Sequence, residues 1–278
     1  ARLLTPRVRV LALVREAVLA ACEHNLYVWL YDEGGWPSGN AQGQVVAGRP
    51  EFARKRLTVR RLPAQHAAEL PPETVAVLGL ADMGVPQPIE MRDLARSLTP
   101  FDEVMVFSLQ SDPSFVDVLS PAAVQQFIAV THERYAAAVG EFFGTTVPGI
   151  FTDETPLGGL LGGKAVPWTR VLLERLSAQM GRDARTYLPL LFGPEATGGD
   201  VHSRYSERER LAARCEYYEA VTKLFQEAYW DQITAWCRAH GLWHTGHVGG
   251  EDNLPDHAHF GHFFRTAGRL DVPGVDVI

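Results

Sequence analysis

Hydrophobic residues recur every three to four positions in three long segments of the chain, residues 8–24, 120–144 and 207–240. This spacing places them on one face of a helix, so each segment is predicted to be an amphipathic helix that packs on a core. Ser120 has a residue type that favours a helix start, and Gly241 is a typical helix terminator.

Short, nearly continuous apolar runs separate these helices and are predicted to be buried strands. Strands that alternate with helices are typical of a parallel sheet, arranged as a barrel or as a doubly wound layer. None of the runs is followed by the glycine-rich turn of a dinucleotide or phosphate site, which argues against nucleotide binding. The runs are LYVWLY from Leu26, VMVFSL from Val104, VPGIFT from Val147, TYLPLLF from Thr186, LWHTGH from Leu242 and VPGVDVI from Val272.

The alternation breaks between residues 48 and 100, where prolines are frequent and two apolar runs, 57–62 and 75–80, are predicted to be antiparallel strands. We interpret this stretch as a small β-rich insertion after the first visible strand. With 278 residues and 46% hydrophobic content, the chain is long enough for one α/β barrel. The sequence therefore predicts a single catalytic domain over residues 1–278, with a (β/α)8 TIM-barrel-like fold.

Charge and composition argue against several kinds of partner. The net charge of −7 is spread along the chain, and the densest basic run, RKRLTVRR from Arg54, alternates with apolar residues as one face of a strand does. We therefore expect no nucleic-acid partner. No apolar run is long enough to cross a bilayer, so we expect no membrane insertion. We expect a soluble protein of unknown compartment, because the missing signal-peptide pattern says little: it is cytoplasmic or, if a signal segment precedes these residues, exported.

Acidic residues recur at the ends of the predicted strands. In a parallel barrel these ends gather on one side of the molecule, where the strand-to-helix loops form the active site. A single strand-end acid is more often structural, whereas several at equivalent ends predict a site that uses carboxylates. The acids are Asp32 and Glu33, Asp153 and Glu154, Glu251, and Asp276.

Carboxylates combined with aromatic residues favour glycoside hydrolysis, which needs a protonated acid at the leaving oxygen and an ionised carboxylate across the sugar. Glu154 follows Ile150 and Phe151, and apolar neighbours favour the protonated form of a carboxyl group. Asp153 is expected to point to the other side of the strand, because side chains alternate. Trp36 is the candidate sugar platform, although a lone loop tryptophan is about as often a hydrophobic plug.

Four motifs resemble those of glycoside hydrolase family 106, the α-L-rhamnosidase-like family, and of its uncharacterised relatives. They are WLYDEGGWPSGNAQGQV, GIFTDE, WCRAHGLWHTGHVGGED and VPGVD, and the resemblance spans the chain from Leu26 to Asp276. It implies a barrel glycosidase that acts on α-L-rhamnosides of plant or microbial polysaccharides with inversion at the anomeric carbon. It also implies Glu154 as general acid and a sugar pocket lined by Asp32, Glu33, Trp36, His244 and His247.

Counted against the family pattern, LYVWLY is the second strand and VPGVDVI the seventh, so the first and last strands are not evident. The pattern also implies a further glutamate on the strand after VPGVD. Glu251 is the glutamate nearest a late strand end, and we assign it as the second catalytic carboxylate. Asp153 and Asp276 complete the predicted sugar-binding set. A barrel without two strands has open edges, which should not stay bare. We expect them to pair with another copy of the chain, to be covered by the insertion at 48–100 or the N-terminal helix, or to be completed by a longer protein that supplies the missing strands and the second glutamate.

Two other functions fit the same residues. One is a carbohydrate-binding barrel that lacks a complete acid–base pair. The other is a metal-dependent barrel hydrolase, although barrel metallohydrolases usually carry their paired histidines on the first strand rather than late in the chain. Its candidate ligands are His244, His247, His257, His259 and His262, with Glu251 and Asp256. We predict no catalytic metal and no cofactor, while a structural divalent ion is compatible with the acids.

Overall fold

The structure is a computed structural model. It describes residues 6–67, 69–158, 163–251 and 253–276. The last two residues of the predicted strand VPGVDVI lie outside this range. Among the helices so described, none is both long enough and apolar enough to span a membrane.

The described residues form two compact units. The predicted insertion at 48–100 falls mainly in the second unit, which also takes in a later part of the chain. The single catalytic domain over residues 1–278 stays a prediction. The first unit comprises the described parts of residues 1–53, 113–156 and 224–278, and the second comprises those of 54–112 and 157–223.

Short strands and a few longer ones make up two separate sheets. In chain order the strands are β1 (Trp29–Tyr31), β2 (Ala53–Pro63), β3 (Thr74–Leu80), β4 (Gln87–Pro88), β5 (Glu103–Val116), β6 (Gly149–Asp153), β7 (Ala165–Trp168), β8 (Trp243–His247) and β9 (Val272–Gly274).

Helices occupy most of the intervening chain. In order they are α1 (Pro6–Glu23), α2 (Leu94–Leu98), α3 (Pro121–Val130), α4 (His132–Val139), α5 (Leu172–Met180), α6 (Pro194–Thr197), α7 (Gly199–His202), α8 (Glu207–Phe225), α9 (Asp231–Ala239), α10 (His257–Phe260) and α11 (Phe263–Ala267). A π-helical turn, Gln226–Trp230, joins α8 to α9 without a break.

The first unit contains a parallel sheet in the order β1-β6-β8-β9 among the described residues. Its register aligns Trp29 with Gly149 and Gly149 with Trp243 at one end. At the other end, Asp153 pairs with His247. Because these strands are parallel and in register, the polar residues that close them arrive at one edge of the sheet.

The two faces of this parallel sheet differ. One face carries buried residues such as Ile150 and His244. Helix α9, which precedes β8 in the chain, packs against β8. On the other face, Trp29 and Trp243 are 43% and 56% exposed, and their rings stack with centroids 6.3 Å apart. Gly149 lies between them, where any Cβ atom would collide with the Trp29 ring. Parallel sheets are normally covered on both faces, so this open aromatic face is unusual.

The second unit is built on a sheet in the order β4-β3-β5-β2-β7. The strand pairs β3–β4, β3–β5 and β2–β7 are antiparallel. Alternate residues of β3 and β5, such as Val77, Val104 and Val106, form a buried cluster with small residues of the connecting segments. The two antiparallel strands predicted from the sequence are present, as β2 and β3, and β5 lies between them.

The fold is therefore mixed α/β, with one parallel and one antiparallel sheet, and no closed barrel is present in the described part of the chain. The run VMVFSL, predicted as a strand of the parallel sheet, belongs to β5 in the antiparallel sheet. The run TYLPLLF is not a strand but part of a 3-10 helix, Ala184–Leu191. Pro189 explains this, because proline cannot donate the hydrogen bond that a central strand needs.

The helix predictions fare better. The segment 207–240 is helical almost throughout, as predicted, and α1 matches the predicted helix at 8–24. The segment 120–144 is instead split at Thr131, whose φ of −121° leaves the helical region and whose hydroxyl donates to the carbonyl oxygen of Phe127. The prediction of a fully buried first strand is wrong, because β1 lies at an edge of a sheet with one open face.

Candidate active site

The carboxyl ends of β6 and β8 bring Asp153, Glu154 and His247 together. His247 Nε2 lies 2.9 Å from Asp153 Oδ1, and the hydroxyl of Tyr31 donates to Asp153 Oδ2 at 2.9 Å. Asp153 thus orients the imidazole, and Tyr31 orients Asp153. In the neutral ring this arrangement places the proton on Nε2 and the lone pair on Nδ1.

The Nδ1 atom of His247 is buried and has no hydrogen-bond partner among the described residues. It lies 3.7 Å from Glu154 Oε1 and 3.6 Å from Glu251 Oε1. These three atoms lie within 4.8 Å of one another. A lone pair and two carboxylate oxygens therefore face a common point, which is a donor set suited to a divalent cation or to a shared proton.

Glu154 connects the end of β6 to the first loop of the unit. Its backbone N–H donates to the carbonyl oxygen of His247 at 3.2 Å. The indole Nε1 of Trp36 donates to Glu154 Oε2 at 2.6 Å. The carboxylate is partly exposed and has polar neighbours, so the apolar wall that the sequence predicted around it is not what the fold provides.

Trp36 is carried by a loop that Glu33 organises from within. The Glu33 carboxylate accepts hydrogen bonds from the backbone N–H groups of Gly34, Asn40, Ala41 and Gln42, at 2.5–2.9 Å. Glu33 is 8% exposed, so its oxygens face the loop backbone. The Trp36 side chain is 65% exposed, and it borders a depression of about 290 Å³ that also touches Ser114 and Phe115.

Asp32, the neighbour of Glu33, points to the buried side of the sheet. Its oxygens accept hydrogen bonds from the hydroxyls of Ser38 and Thr152, each at 2.5 Å. Complete burial raises the pKa of Asp32 to about 7, against the opposing effect of these two hydrogen bonds. Asp32 therefore titrates near neutrality from a fully buried position on the covered face of the sheet.

His244 continues this buried network. Its Nε2 lies 2.9 Å from the Thr152 hydroxyl, and its Nδ1 lies 2.7 Å from the hydroxyl of Thr234. When Asp32 is ionised, Thr152 donates its proton to Asp32, and His244 Nε2 is then the donor to Thr152. Burial lowers the pKa of His244 to about 3, so the ring is neutral. Its position behind the sheet makes it a supporting residue.

Ser38 links the buried network to the candidate acids. Its hydroxyl accepts a hydrogen bond from the backbone N–H of Asp153 at 2.8 Å, and its own N–H donates to the carbonyl oxygen of Asp153 at 2.8 Å. Sequence reasoning missed Ser38, Tyr31 and Thr152. The signal for Ser38 was present, since it stands in the WPSG turn that follows Asp32 and Glu33.

The remaining predicted site residues are Glu251, which lies beside Glu154 and His247, and Asp276, which is bonded to Glu251. Glu251 accepts a hydrogen bond from the backbone N–H of Asp276 at 2.7 Å, while the Asp276 residue itself is exposed. The nearest oxygens of Glu154 and Glu251 lie within 4.8 Å of each other. An inverting pair needs roughly 6.5–9.5 Å between its carboxyl groups, so the close approach of these two oxygens favours the shorter separation of a retaining pair.

The late histidines do not join one cluster. His247 lies with the two glutamates, and His244 lies behind the sheet. The rings of His257 and His262 stack on each other with centroids 5.9 Å apart. Within the described residues, the set that can hold a cation is Glu154, His247 and Glu251.

Comparison with known proteins gives a partial similarity to a solved structure. No protein-family model and no curated protein matches the chain. Among solved structures, a rhamnosidase from Novosphingobium sp. PP1Y is similar over 61% of this chain, with 18% sequence identity and a TM-score of 0.42. The chain spans 16% of the length of that rhamnosidase chain.

Proposed function

We propose that the protein is a glycoside hydrolase, with Glu154 as its general acid and α-L-rhamnosides or related sugars of polysaccharides as substrates. The observation that supports this most is the contact between the Glu154 carboxylate and the Trp36 indole at the ends of parallel strands. It joins a partly exposed acid to an exposed aromatic face, which are the two features that a sugar site requires. Membership of glycoside hydrolase family 106 is part of the same proposal.

The proposed roles follow from the hydrogen bonds. Trp36 holds one oxygen of Glu154 through its N–H and leaves the face of its ring for the C–H side of a sugar. Asp153 holds His247 in the tautomer that presents a lone pair to Glu154 and Glu251. Asp32, Glu33 and His244 support these residues from behind or from within the loop, and Asp276 borders the same edge.

The second carboxylate of this proposal is Glu251. Its short distance from Glu154 is closer to the ~5–5.5 Å of retaining enzymes than to the separation that inversion needs. Proton NMR of the first-formed sugar anomer determines the stereochemistry directly. A retained product would support Glu251 as the second carboxylate, whereas an inverted product would require a base other than Glu251.

Activity is tested with a panel of aryl glycosides that includes 4-nitrophenyl α-L-rhamnopyranoside, beside a rhamnose disaccharide with a poor leaving group. Glu154→Gln should lose about 100-fold or more of kcat on the disaccharide and much less on the aryl glycoside, because only the poor leaving group needs a proton. Glu133→Gln is the matched control. Glu133 also accepts a hydrogen bond from a tryptophan, Trp236 Nε1, at 2.7 Å, and this pair lies outside the site.

The outcome separates catalysis from binding. Equal losses on both substrates would remove Glu154 from the role of acid. If sugars bind in calorimetry and none is hydrolysed, the non-catalytic carbohydrate-binding function replaces the enzyme. Trp36→Ala should weaken sugar binding in either case, by on the order of 1–3 kcal/mol.

A divalent cation is a second candidate for the same edge, because the buried Nδ1 of His247 faces two carboxylates. We propose a site of three protein ligands, Glu154, His247 and Glu251, and thermal unfolding with CaCl2, MnCl2 or ZnCl2 after chelation tests it. Binding to the folded state should raise Tm in the wild type and not in His247→Ala. His262→Ala is the control. No rise with any of the three ions would remove the metal site.

A further inference from the structure

The backbone of Glu154 is the feature that the proposed function leaves unexplained. Its φ of +40° lies in the left-handed region, which residues with a Cβ atom adopt rarely and at a cost in energy. Such a conformation persists only where the surrounding structure holds it. The question is therefore which contacts hold Glu154.

The next residue supplies the main contact. The hydroxyl of Thr155 donates to the hydroxyl oxygen of Tyr229 at 2.9 Å, and both residues have no exposed surface. The backbone N–H of Glu154 is bound in turn by the carbonyl oxygen of His247. The chain is thus held on both sides of the unusual φ angle, once by β8 and once by Tyr229.

Tyr229 lies in the π-helical turn between α8 and α9. A π turn changes the direction of the side chains that follow it, and such turns often occur at functional sites. Here the Tyr229 ring packs among Phe127, Phe225 and Trp230, with centroid distances of 6.1, 5.7 and 5.3 Å. These contacts leave the ring little freedom, so its hydroxyl is a fixed point.

The Trp36 loop touches the same pair. A Cβ atom added at Gly39 would lie 3.5 Å from Thr155 Cγ2 and 3.5 Å from Tyr229 Cε2, and the φ of Gly39 is +118°. The loop backbone therefore approaches the Thr155–Tyr229 pair closely at a position that favours glycine. The loop that carries Trp36 and the residue that follows Glu154 thus both lie against Tyr229.

We propose that Tyr229, acting through Thr155, is a positioning residue that holds Glu154 in its left-handed conformation and directs its carboxylate to Trp36 and His247. The π turn supplies the geometry, and the Thr155 hydroxyl transmits it. Only the catalytic consequence of this proposal rests on the proposed function.

The test uses the Trp36 indole N–H as a reporter that needs no substrate. In protein labelled with ¹⁵N-tryptophan, its resonance is assigned by Trp36→Phe, and its chemical shift and exchange rate with water are measured at one fixed pH in the presence of a chelator. Tyr229→Phe and Thr155→Val should both move the resonance and speed its exchange by tenfold or more, because the Glu154 acceptor is no longer held. Thr155→Ser keeps the hydroxyl and should restore the wild-type signal.

Tyr217→Phe is the matched control for losing a buried tyrosine hydrogen bond. Its hydroxyl donates to the carbonyl oxygen of Pro167 at 2.6 Å in the second unit. It should leave the Trp36 resonance unchanged whatever it does to Tm. If Tyr229→Phe folds and leaves the Trp36 resonance and its exchange rate as in the wild type, the positioning role is refuted. Thr155→Val gives the same decision if Tyr229→Phe does not fold.

Turnover separates this proposal from the proposed function. If the wild type hydrolyses the rhamnose disaccharide, Tyr229→Phe should lower kcat at least tenfold with little change in KM, and Thr155→Ser should retain activity. An active enzyme with an unchanged Trp36 signal in Tyr229→Phe refutes the positioning role and leaves the glycosidase. An inactive wild type with a shifted signal in both variants supports the positioning role and refutes the glycosidase.

Discussion

Two carboxylate–histidine groups lie on opposite faces of strands β6 and β8. On the covered face, Asp32 and His244 are joined through Thr152, and every polar atom of that chain has a partner. On the open face, Asp153 and His247 are in direct contact, and one nitrogen of His247 is left without a partner. The residue types are the same, and only their position along the strand differs.

This difference teaches how strand alternation divides structural from chemical roles. Neighbouring residues of a strand point to opposite faces, so Asp32 and Thr152 support the sheet while Asp153 reaches the edge where a ligand can arrive. A carboxylate with complete hydrogen bonding and no exposure stabilises one conformation. On the open face the Asp153 carboxylate is also fully bonded, but it orients a histidine whose Nδ1 has no partner and can bind a ligand.

The pH dependence of the free energy of unfolding should give the largest difference between the carboxylate–histidine group of the covered face and that of the open face. The pKa of Asp32 is raised to about 7, so the stability it contributes is fully present below its unfolded value near 4 and is lost as pH rises to about 7. The loss relative to Asp32→Asn, whose amide does not titrate, should be on the order of 4 kcal/mol between pH 4 and 8. Urea denaturation across this range measures it.

Two buried histidines, His132 at the start of α4 and His244 on the covered face, act in the opposite direction. Burial lowers the pKa values of His132 and His244 to about 3, so their contribution is present above about 6.5 and is lost as pH falls. The comparison with Asp32→Asn is therefore essential, because both proteins carry these histidines. Equal slopes for the two proteins would show that Asp32 does not titrate in this range.

Removal of one hydroxyl on each face should have unequal effects. Thr152→Val leaves Asp32 Oδ2 and His244 Nε2 without their buried hydrogen-bond partner and should lower the free energy of unfolding by about 2–3 kcal/mol. Thr245→Val is the matched change on the open face, where a half-buried hydroxyl donates to the carbonyl oxygen of Val272 at 2.7 Å. It should cost less than about 1 kcal/mol. A similar cost for both would contradict the assignment of the covered face to structure.

The open face should also promote self-association. Trp29 and Trp243 present stacked rings beside sheet edges that have no further strand in the described part of the chain. We expect sedimentation equilibrium to show a concentration-dependent dimer, and Trp243→Asp to weaken it about tenfold, or ~1.4 kcal/mol. Met83→Asp, at another exposed hydrophobic residue, is the control. A protein that stays monomeric at all concentrations would exclude this contact between copies.

The smallest effect concerns the backbone of Glu154. Glycine adopts a φ of +40° without the cost that alanine incurs, so Glu154→Gly should be more stable than Glu154→Ala by about 1 kcal/mol. At Asp153, whose backbone is in a strand, the order should reverse. Thermal unfolding of the four variants provides the comparison. Alanine as stable as glycine at 154 would mean that the conformation carries no strain.

The sequence predicted what depends on local pattern. The long helix and the strands that end in Asp153 and His247 follow from hydrophobic spacing, and the strand ends then bring these two residues together. The sheet assignment of VMVFSL was beyond local pattern, since an apolar run has the same appearance in parallel and antiparallel sheets. The buried role of Asp32 was hidden for a related reason, because burial of a strand-end acid depends on residues as distant as Thr152 and Thr234.

The position of Tyr229 was unpredictable in another way. Its helix was predicted correctly, but one extra residue per turn at Gln226–Trp230 rotates the side chains that follow. No residue type marks such a turn. Its contact with Thr155 becomes visible only when β6 and the helix are placed together.

The Glu33 carboxylate provides the Trp36 loop with an anionic hydrogen-bond acceptor of its own. Four backbone N–H groups, which would otherwise bond to water or to an anionic ligand, donate to this carboxylate. The loop backbone is therefore already ordered before a ligand binds. A ligand loses little binding free energy to ordering this loop. The affinity of a ligand for this loop should depend weakly on thermal motion of the loop and strongly on how well the ligand fits the exposed Trp36 indole.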